Sequence, residues 1–340
     1  MNRLFFTSVL FAVLGFIFSC AHSKQAKKVL NAPTLKLEFV HDLNLKSATE
    51  KGRPPFVSAA SGIVRVDKKY YVVSDDEQFL FSFGLGDKFL KSDRLLPEDL
   101  AGVKDRKAAK ADFESLLHLT AEEWPPYGAL VAWPSGSGVN RMRAVTVPFE
   151  KNGVLGKPII SNILPLAYQI QPEARDLNIE GIIKRDKKIF LFQRGNSKKG
   201  GNAIVEMSFA NWLKGMKSGD WSGKVEYQRI KIGSLSGVNL TFSDVTWTKY
   251  GLLALASAED SVSAYADGVV YGTVLVRLVG SSAEILAKFD QVTKIEGLTA
   301  NETANGLELY LVNDADSSSK ASQLFRVHLP DSMLSALKQK

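Results

Sequence analysis

Cysteine is nearly absent from this sequence, with one residue at Cys20, and only four histidines occur. One thiol excludes a disulfide-stapled fold and a cysteine-rich zinc centre. No P-loop, GxSxG elbow, HExxH or CxxC is present, so the chemistries those motifs mark have no support here. Ser135-Gly136-Ser137-Gly138 has the outline of a phosphate loop, but no lysine-bearing helix follows it. Helical stretches between apolar segments are few, which disfavours a doubly wound α/β fold. Charge of one sign is also scarce. The 43 Lys+Arg against 36 Asp+Glu leave +7, spread along the chain, which points to no nucleic-acid partner. With 45% hydrophobic and 23% charged residues, the chain is neither disordered nor a polytopic membrane protein.

What is present begins with an address. Arg3 precedes an apolar run from Leu4 to Phe18, shorter than the roughly twenty residues a bilayer span needs. The run ends Ile17-Phe18-Ser19-Cys20, which resembles the bacterial lipobox, with Phe18 bulkier than the usual occupant. The resemblance implies a signal peptide over 1–19 and a lipidated Cys20, with acyl chains as the link to the membrane. Ala21 stands where an inner-membrane retention signal would carry Asp, so the expected location is the outer membrane. Residues 20–33 then form the lipidated cysteine and a polar, basic tether.

One unit recurs five times. Its starts are Ser61-Gly62-Ile63, Glu114-Ser115-Leu116, Glu180-Gly181-Ile182, Asp244-Val245-Thr246 and Glu296-Gly297-Leu298. Apolar second strands follow at Tyr70–Val73, Ala129–Trp133, Ile189–Phe192, Leu252–Ala256 and Leu309–Val312, each running into a polar cluster. Third strands are expected from Leu80, Met142, Asn202, Thr273 and Gln323, and fourth strands from Phe89, Lys157, Lys224 and Glu284. The fifth unit lacks a fourth strand, and Leu35 to Leu43 is available to supply it. Second strands apolar on both sides must be buried on both sides, which stacked blades provide. Closing the ring also removes exposed sheet edges. The expectation is an all-β fold: a single β-propeller over 34–330 with five blades of about four strands, closed by the N-terminal strand. Six blades is the alternative, and 331–340 reads as a short helical tail. Residues 104–119 also fit an amphipathic helix, in competition with the second repeat.

The acidic residue before glycine in Asn178-Ile179-Glu180-Gly181 and Lys294-Ile295-Glu296-Gly297 resembles the phytase-like and gluconolactonase-like propellers. More narrowly, SGIVRVDKKYYVVSDDE, LNIEGIIKRDKKIFLFQRGN and LVNDADSSSKASQLFRVHL resemble an uncharacterised bacterial propeller family. The wider resemblance implies acidic residues at one tunnel mouth, often around calcium, at the positions of Glu114, Glu180, Asp244 and Glu296. Ser61 departs from that pattern. From the residues alone, four convergent carboxylates raise one another's pKa unless neutralised. Three answers stay open: a Ca²⁺ ion, pairing with Arg194, Arg141 or Arg143, or backbone N–H bonds within each blade.

The clusters after the second strands hold Asp75, Asp76, Glu77, Arg141, Arg194, Asn196, Glu259, Asp260, Asp314 and Asp316. Turn chemistry explains any one of them, but together they would occupy one face of the ring. His118, four residues after Glu114, is the histidine with a route to the tunnel. Trp124, Trp133, Trp221 and Trp247 are expected in the blade core. The functional expectation is an envelope lipoprotein using the polar face to bind a small ligand, a glycan or an envelope protein. The alternative, implied only by resemblance, is a calcium-dependent phosphoesterase- or lactonase-like hydrolase.

Overall fold

Each repeat forms an antiparallel sheet whose strands run from the axis outward in sequence order. The computed structural model describes residues 31–338 other than 175, 196–200, 261–267, 304–305, 316 and 318. The signal segment, Cys20 and most of the tether lie outside the described residues, as do Asn196 and Asp316.

Blade 1 comprises Ala60–Val66, Lys69–Ser74, Phe79–Phe83 and Lys91–Arg94. Blade 2 comprises Phe113–Leu119, Ala129–Pro134, Arg143–Pro148 and Ile159–Asn162. Blade 3 comprises Ile179–Arg185, Lys188–Gln193, Ala203–Ser208 and Val225–Arg229. Blade 4 comprises Val238–Thr248, Gly251–Asp260, Val269–Val279 and Ser282–Phe289. Blade 5 takes Lys294–Thr303, Gly306–Asp314 and Gln323–Leu329 from the C-terminal end, and its outer strand, Glu38–Asp42, from the other. Glu38 opposes Arg326 and Asp42 opposes Gln323, so the N-terminal strand closes the ring. Among the described residues there is no sixth blade.

Alternation along the second strands explains why blades stack. Tyr70 and Val72 pack into the space between blades 5 and 1, while Tyr71 and Val73 pack between blades 1 and 2. Leu253 and Leu255 face blade 5, and Ala254 and Ala256 face blade 3. The described core is therefore five apolar clusters, one in each gap between blades. A strand buried on both faces needs no polar alternation.

Two features were not anticipated, and a third resolves the competition over 104–119. Before closing blade 5, the chain adds Thr34–Leu35 to the outer edge of blade 4, parallel to it, so one segment fastens two blades. Helices Leu164–Ile170 and Phe209–Ser218 cover the gap between blades 2 and 3 with Leu166, Ile170 and Trp212. The segment 104–119 divides: Arg106–Ala109 is a short helix and Phe113–Leu119 the inner strand. The tail is helical over Asp331–Lys338, buries Leu334 and Leu337 against blades 4 and 5, and has its Leu337 carbonyl capped by Arg277.

Candidate functional site

All five inner strands slip register at the same place. The breaks fall between Ala60 and Ile63, Phe113 and Ser115, Ile179 and Gly181, Phe242 and Asp244, and Ile295 and Gly297. A bulge re-aims a side chain out of the ladder, and the bulged positions are Ser61, Glu114, Glu180, Ser243 and Glu296. The following position turns toward the next blade. There a Cβ on Gly62 would stand 2.6 Å from the Ser115 backbone, and one on Gly297 would stand 2.0 Å from the Ser61 carbonyl oxygen. Glycine is required where backbones approach this closely.

Blade 4 places Ser243 at the bulge and Asp244 one residue later. Asp244 is thus equivalent to Gly181 and Gly297, not to Glu180 and Glu296 as the repeat alignment has it. Its Oδ2 accepts from the Leu298 N–H of blade 5 at 2.7 Å, just as Ser115 Oγ accepts from the Ile182 N–H at 3.0 Å. Asp244 joins blades. Burial pushes its carboxyl well above the usual range, against the pull of the Leu298 and Val245 N–H groups.

The three bulged glutamates converge. Arg194, reaching in from the end of blade 3, donates to Glu180 of blade 3 (3.4 Å), Glu259 of blade 4 (2.5 Å) and Glu296 of blade 5 (3.3 Å). Lys294 stands 3.0 Å from Glu296, 3.3 Å from Asp314 and 3.7 Å from Glu259. Toward blades 1 and 2, the Lys110 ammonium lies 2.6 Å from Asp75, 3.2 Å from Asp112 and 3.4 Å from Asp76. Arg141 donates to Asp112 at 2.6 Å. Glu114 accepts from Ser61 Oγ at 2.9 Å and lies within electrostatic reach of Glu180, Asp112, Asp75 and Glu296.

Among the described residues, charge does not balance at this mouth. Leaving aside Asp76, which Arg53 also meets, seven described carboxyls (Asp75, Asp112, Glu114, Glu180, Glu259, Glu296, Asp314) meet four described cations (Lys110, Arg141, Arg194, Lys294). Three carboxyls are in excess. Three of the seven are also pushed upward, first by burial and then by their acidic neighbours. Glu180 rises to about 8 despite Arg194, whose shortest contact is with Glu259. Glu114 rises well above the usual range. Asp75 rises to about 7, with Lys110 opposing; 23% of its side chain is exposed, though Oδ1 is enclosed without a bonding partner. Glu259 goes the other way, because Arg194 and Lys294 outweigh its burial. Burial opposes the charges on Arg194 and Lys110, but their surrounding carboxylates hold both well above their ordinary values.

Other candidates fall elsewhere. Glu77 is buried with Arg53 at 2.6 Å in a cluster behind the mouth, and Asp76 is at the rim, 3.6 Å from Arg53. Asp260 is exposed at its strand end. His118 has no route to the tunnel, because the bulge at Glu114 breaks the alternation that would have put both on one side. It lies edge-on to Phe149 and lines a cavity on the opposite face. Lys110, Asp112 and Lys294 are the mouth residues that repeat reasoning missed. Their signal is proximity in sequence: Lys110 and Asp112 precede Glu114 by four and two residues and Lys294 precedes Glu296 by two, although Asp112 has φ 61 and both glutamates sit at bulges, so strand alternation does not carry it.

Over residues 56–329 the sequence matches a family described as a family of unknown function (DUF6929). The chain belongs to that family. No curated protein matches it in sequence. Among solved structures, the catalytic domain of the Coprinopsis cinerea GH62 α-L-arabinofuranosidase is similar at 11% identity and TM-score 0.48, over 88% of this chain and 98% of that one. Myxococcus xanthus glutaminyl cyclase follows at 8% and 0.45, over 87% and 97%. The aldose sugar dehydrogenase of Streptomyces coelicolor follows at 10% and 0.44, over 87% and 99%. At these identities the similarity concerns the path of the chain, and no substrate or residue role is carried over.

Proposed function

We propose that this family member is a cell-envelope lipoprotein, anchored in the outer membrane through Cys20, whose propeller binds a cationic ligand at the Arg194 mouth. The observation that carries the binding role is that the described carboxyls of the mouth outnumber its described cations by three, and the proposal holds that protons meet this excess when no ligand is bound. A small ligand presenting ammonium groups, or a metal cation, would take the place of those protons. Binding would then release protons, as for any cation that displaces them from carboxyls.

Two features support the anchor and its orientation. The sole cysteine closes the lipobox-like Ile17-Phe18-Ser19-Cys20. Thr34–Leu35 runs parallel to Ser282–Phe289, so the chain reaches Thr34 from the side of the Val279–Ser282 turn. That turn lies on the face opposite the mouth. A tether that continued in that direction would turn the mouth away from the lipid surface.

Calcium is the second reading, and the four-carboxylate ring does not fit it. Asp244 is spent on backbone N–H groups, and Arg194 stands between Glu180 and Glu296. What favours a metal instead is Asp75, Asp112 and Glu114, whose oxygens lie within 4.8 Å of one another. Those residues would hold the ion once Lys110 moved aside. The hydrolase alternative needs such an ion with an open position.

Titration calorimetry of the full-length chain with spermidine and with calcium, in two buffers of different ionisation enthalpy, separates these readings. Proton release with spermidine supports an organic-cation site, and release with calcium alone supports the metal reading. No heat with either removes the proposal.

A further inference from the structure

The mouth leaves unexplained a slot between blades 3 and 4 on the opposite face, beside the hairpin turns after Arg185 and Thr248. Its cavity is about 680 Å³, within the range of small-molecule sites. One wall is the cross-strand row Ile183, Phe190, Glu206 and Glu226 of blade 3. The other is the row Trp247, Leu252 and Leu278 of blade 4.

Two features of the slot run against folding economy. Trp133, Trp212 and Trp221 are buried, whereas Trp247 is 38% exposed and its ring is held by the Arg185 guanidinium, 3.7 Å from the centroid. Glu206 and Glu226 stand directly opposite each other on neighbouring strands, an arrangement of like charges that destabilises a sheet. Lys188 pairs with Glu206 and Lys224 with Glu226 through one carboxylate oxygen each, which leaves a second oxygen on each as an acceptor.

The geometry points to a carbohydrate-binding slot, with Trp247 as the stacking surface and Glu206 and Glu226 as hydroxyl acceptors. A sugar ring has an apolar C–H face that lies on an aromatic ring, and hydroxyls at its edge that a pair of carboxylates accepts. The Arg185 and Arg277 guanidiniums that line the slot repel a cationic ligand, and the Glu206 and Glu226 carboxylates on the facing wall repel an anionic one. A neutral polyol suits both.

The test uses the full-length chain in a detergent without sugar headgroups, titrated with cellohexaose, chitohexaose and maltohexaose, and separately with choline. Saturable binding of at least one hexasaccharide is expected, weakened at least tenfold by Trp247→Ala and several-fold by Glu206→Gln. Glu206→Gln relieves the like-charge pair, so its Tm should not fall while its affinity does, a combination a structural role would not produce. Glu114→Gln at the mouth should leave sugar binding unchanged, which separates this site from the cation site. Absence of binding up to about 10 mM sugar, the weakest range worth calling a site, overturns the proposal. So does affinity that survives Trp247→Ala, and choline binding without sugar binding assigns the slot to cations instead.

Discussion

Around Arg194, carboxylates from blades 3, 4 and 5 share one guanidinium; around Lys110, carboxylates from blades 1 and 2 share one ammonium. Arg194 is planar, permanently charged and multiply donating, so it holds three partners across the tunnel at once. Lys110 is a point charge on a flexible stem and collects only what surrounds it. Glu114 lies at the seam between the two groups, with a serine hydroxyl as its hydrogen-bond donor. The gap in charge is therefore local, and it lies where the two systems fail to meet.

Breaking the Arg194 system should have the largest effect. Arg194→Ala takes from Glu180 its one paired cation and leaves Glu259 and Glu296 to Lys294 alone in a buried site, at a cost of about 3–5 kcal/mol, read from denaturant unfolding. Adding Glu180→Gln should recover part of that loss. Lys110→Met removes a smaller hub, because Arg141 still holds Asp112. About 1.5–3 kcal/mol is expected, the usual worth of hydrogen bonds to charged groups. Equal losses at the two hubs would erase the distinction drawn between them.

Asp244→Ala tests whether that residue joins blades. Losing its acceptor leaves the Leu298 N–H unsatisfied, for about 1–3 kcal/mol, with no effect on spermidine or calcium binding. A change in cation affinity would return Asp244 to the mouth.

Acidity should act in an unusual direction. Glu180, Glu114 and Asp75 are held above their unfolded values, so the native state keeps protons that the unfolded chain has given up. Stability from Glu180 is fully present below about pH 4.5 and is lost as pH rises through about 8, that from Asp75 is lost as pH rises through about 7, and Glu114 acts in the same direction. The melting temperature should decline across that window, and Glu180→Gln should flatten the decline. A melting temperature rising with pH over the same window would contradict the protonated mouth.

The pattern of two-sided apolar strands made the propeller legible, because burial on both faces demands a stack. The ring closure was legible from a missing strand. The attachment of Thr34–Leu35 to blade 4 was not, since two residues of parallel pairing leave no pattern. Aligning Asp244 with the glutamates failed because sequence repeats do not display bulges, and one inserted residue moves a side chain from the axis to the neighbouring blade. Trp247 was assigned to the core by residue type. Its position beside the Thr248–Gly251 turn, at the mouth of a gap, is what leaves it exposed.

The smallest expected stability effect belongs to Glu114→Gln, within about 0.5 kcal/mol, because a protonated acid and an amide differ little in charge. The same variant gives the most direct test of the excess-carboxyl mouth. Infrared spectroscopy of the wild-type chain at pH 7 should show the carbonyl stretch of protonated carboxylic acids, reduced in Glu114→Gln and in Glu180→Gln and abolished by saturating the cation that binds. A wild-type spectrum at pH 7 containing only ionised carboxylates would contradict the account.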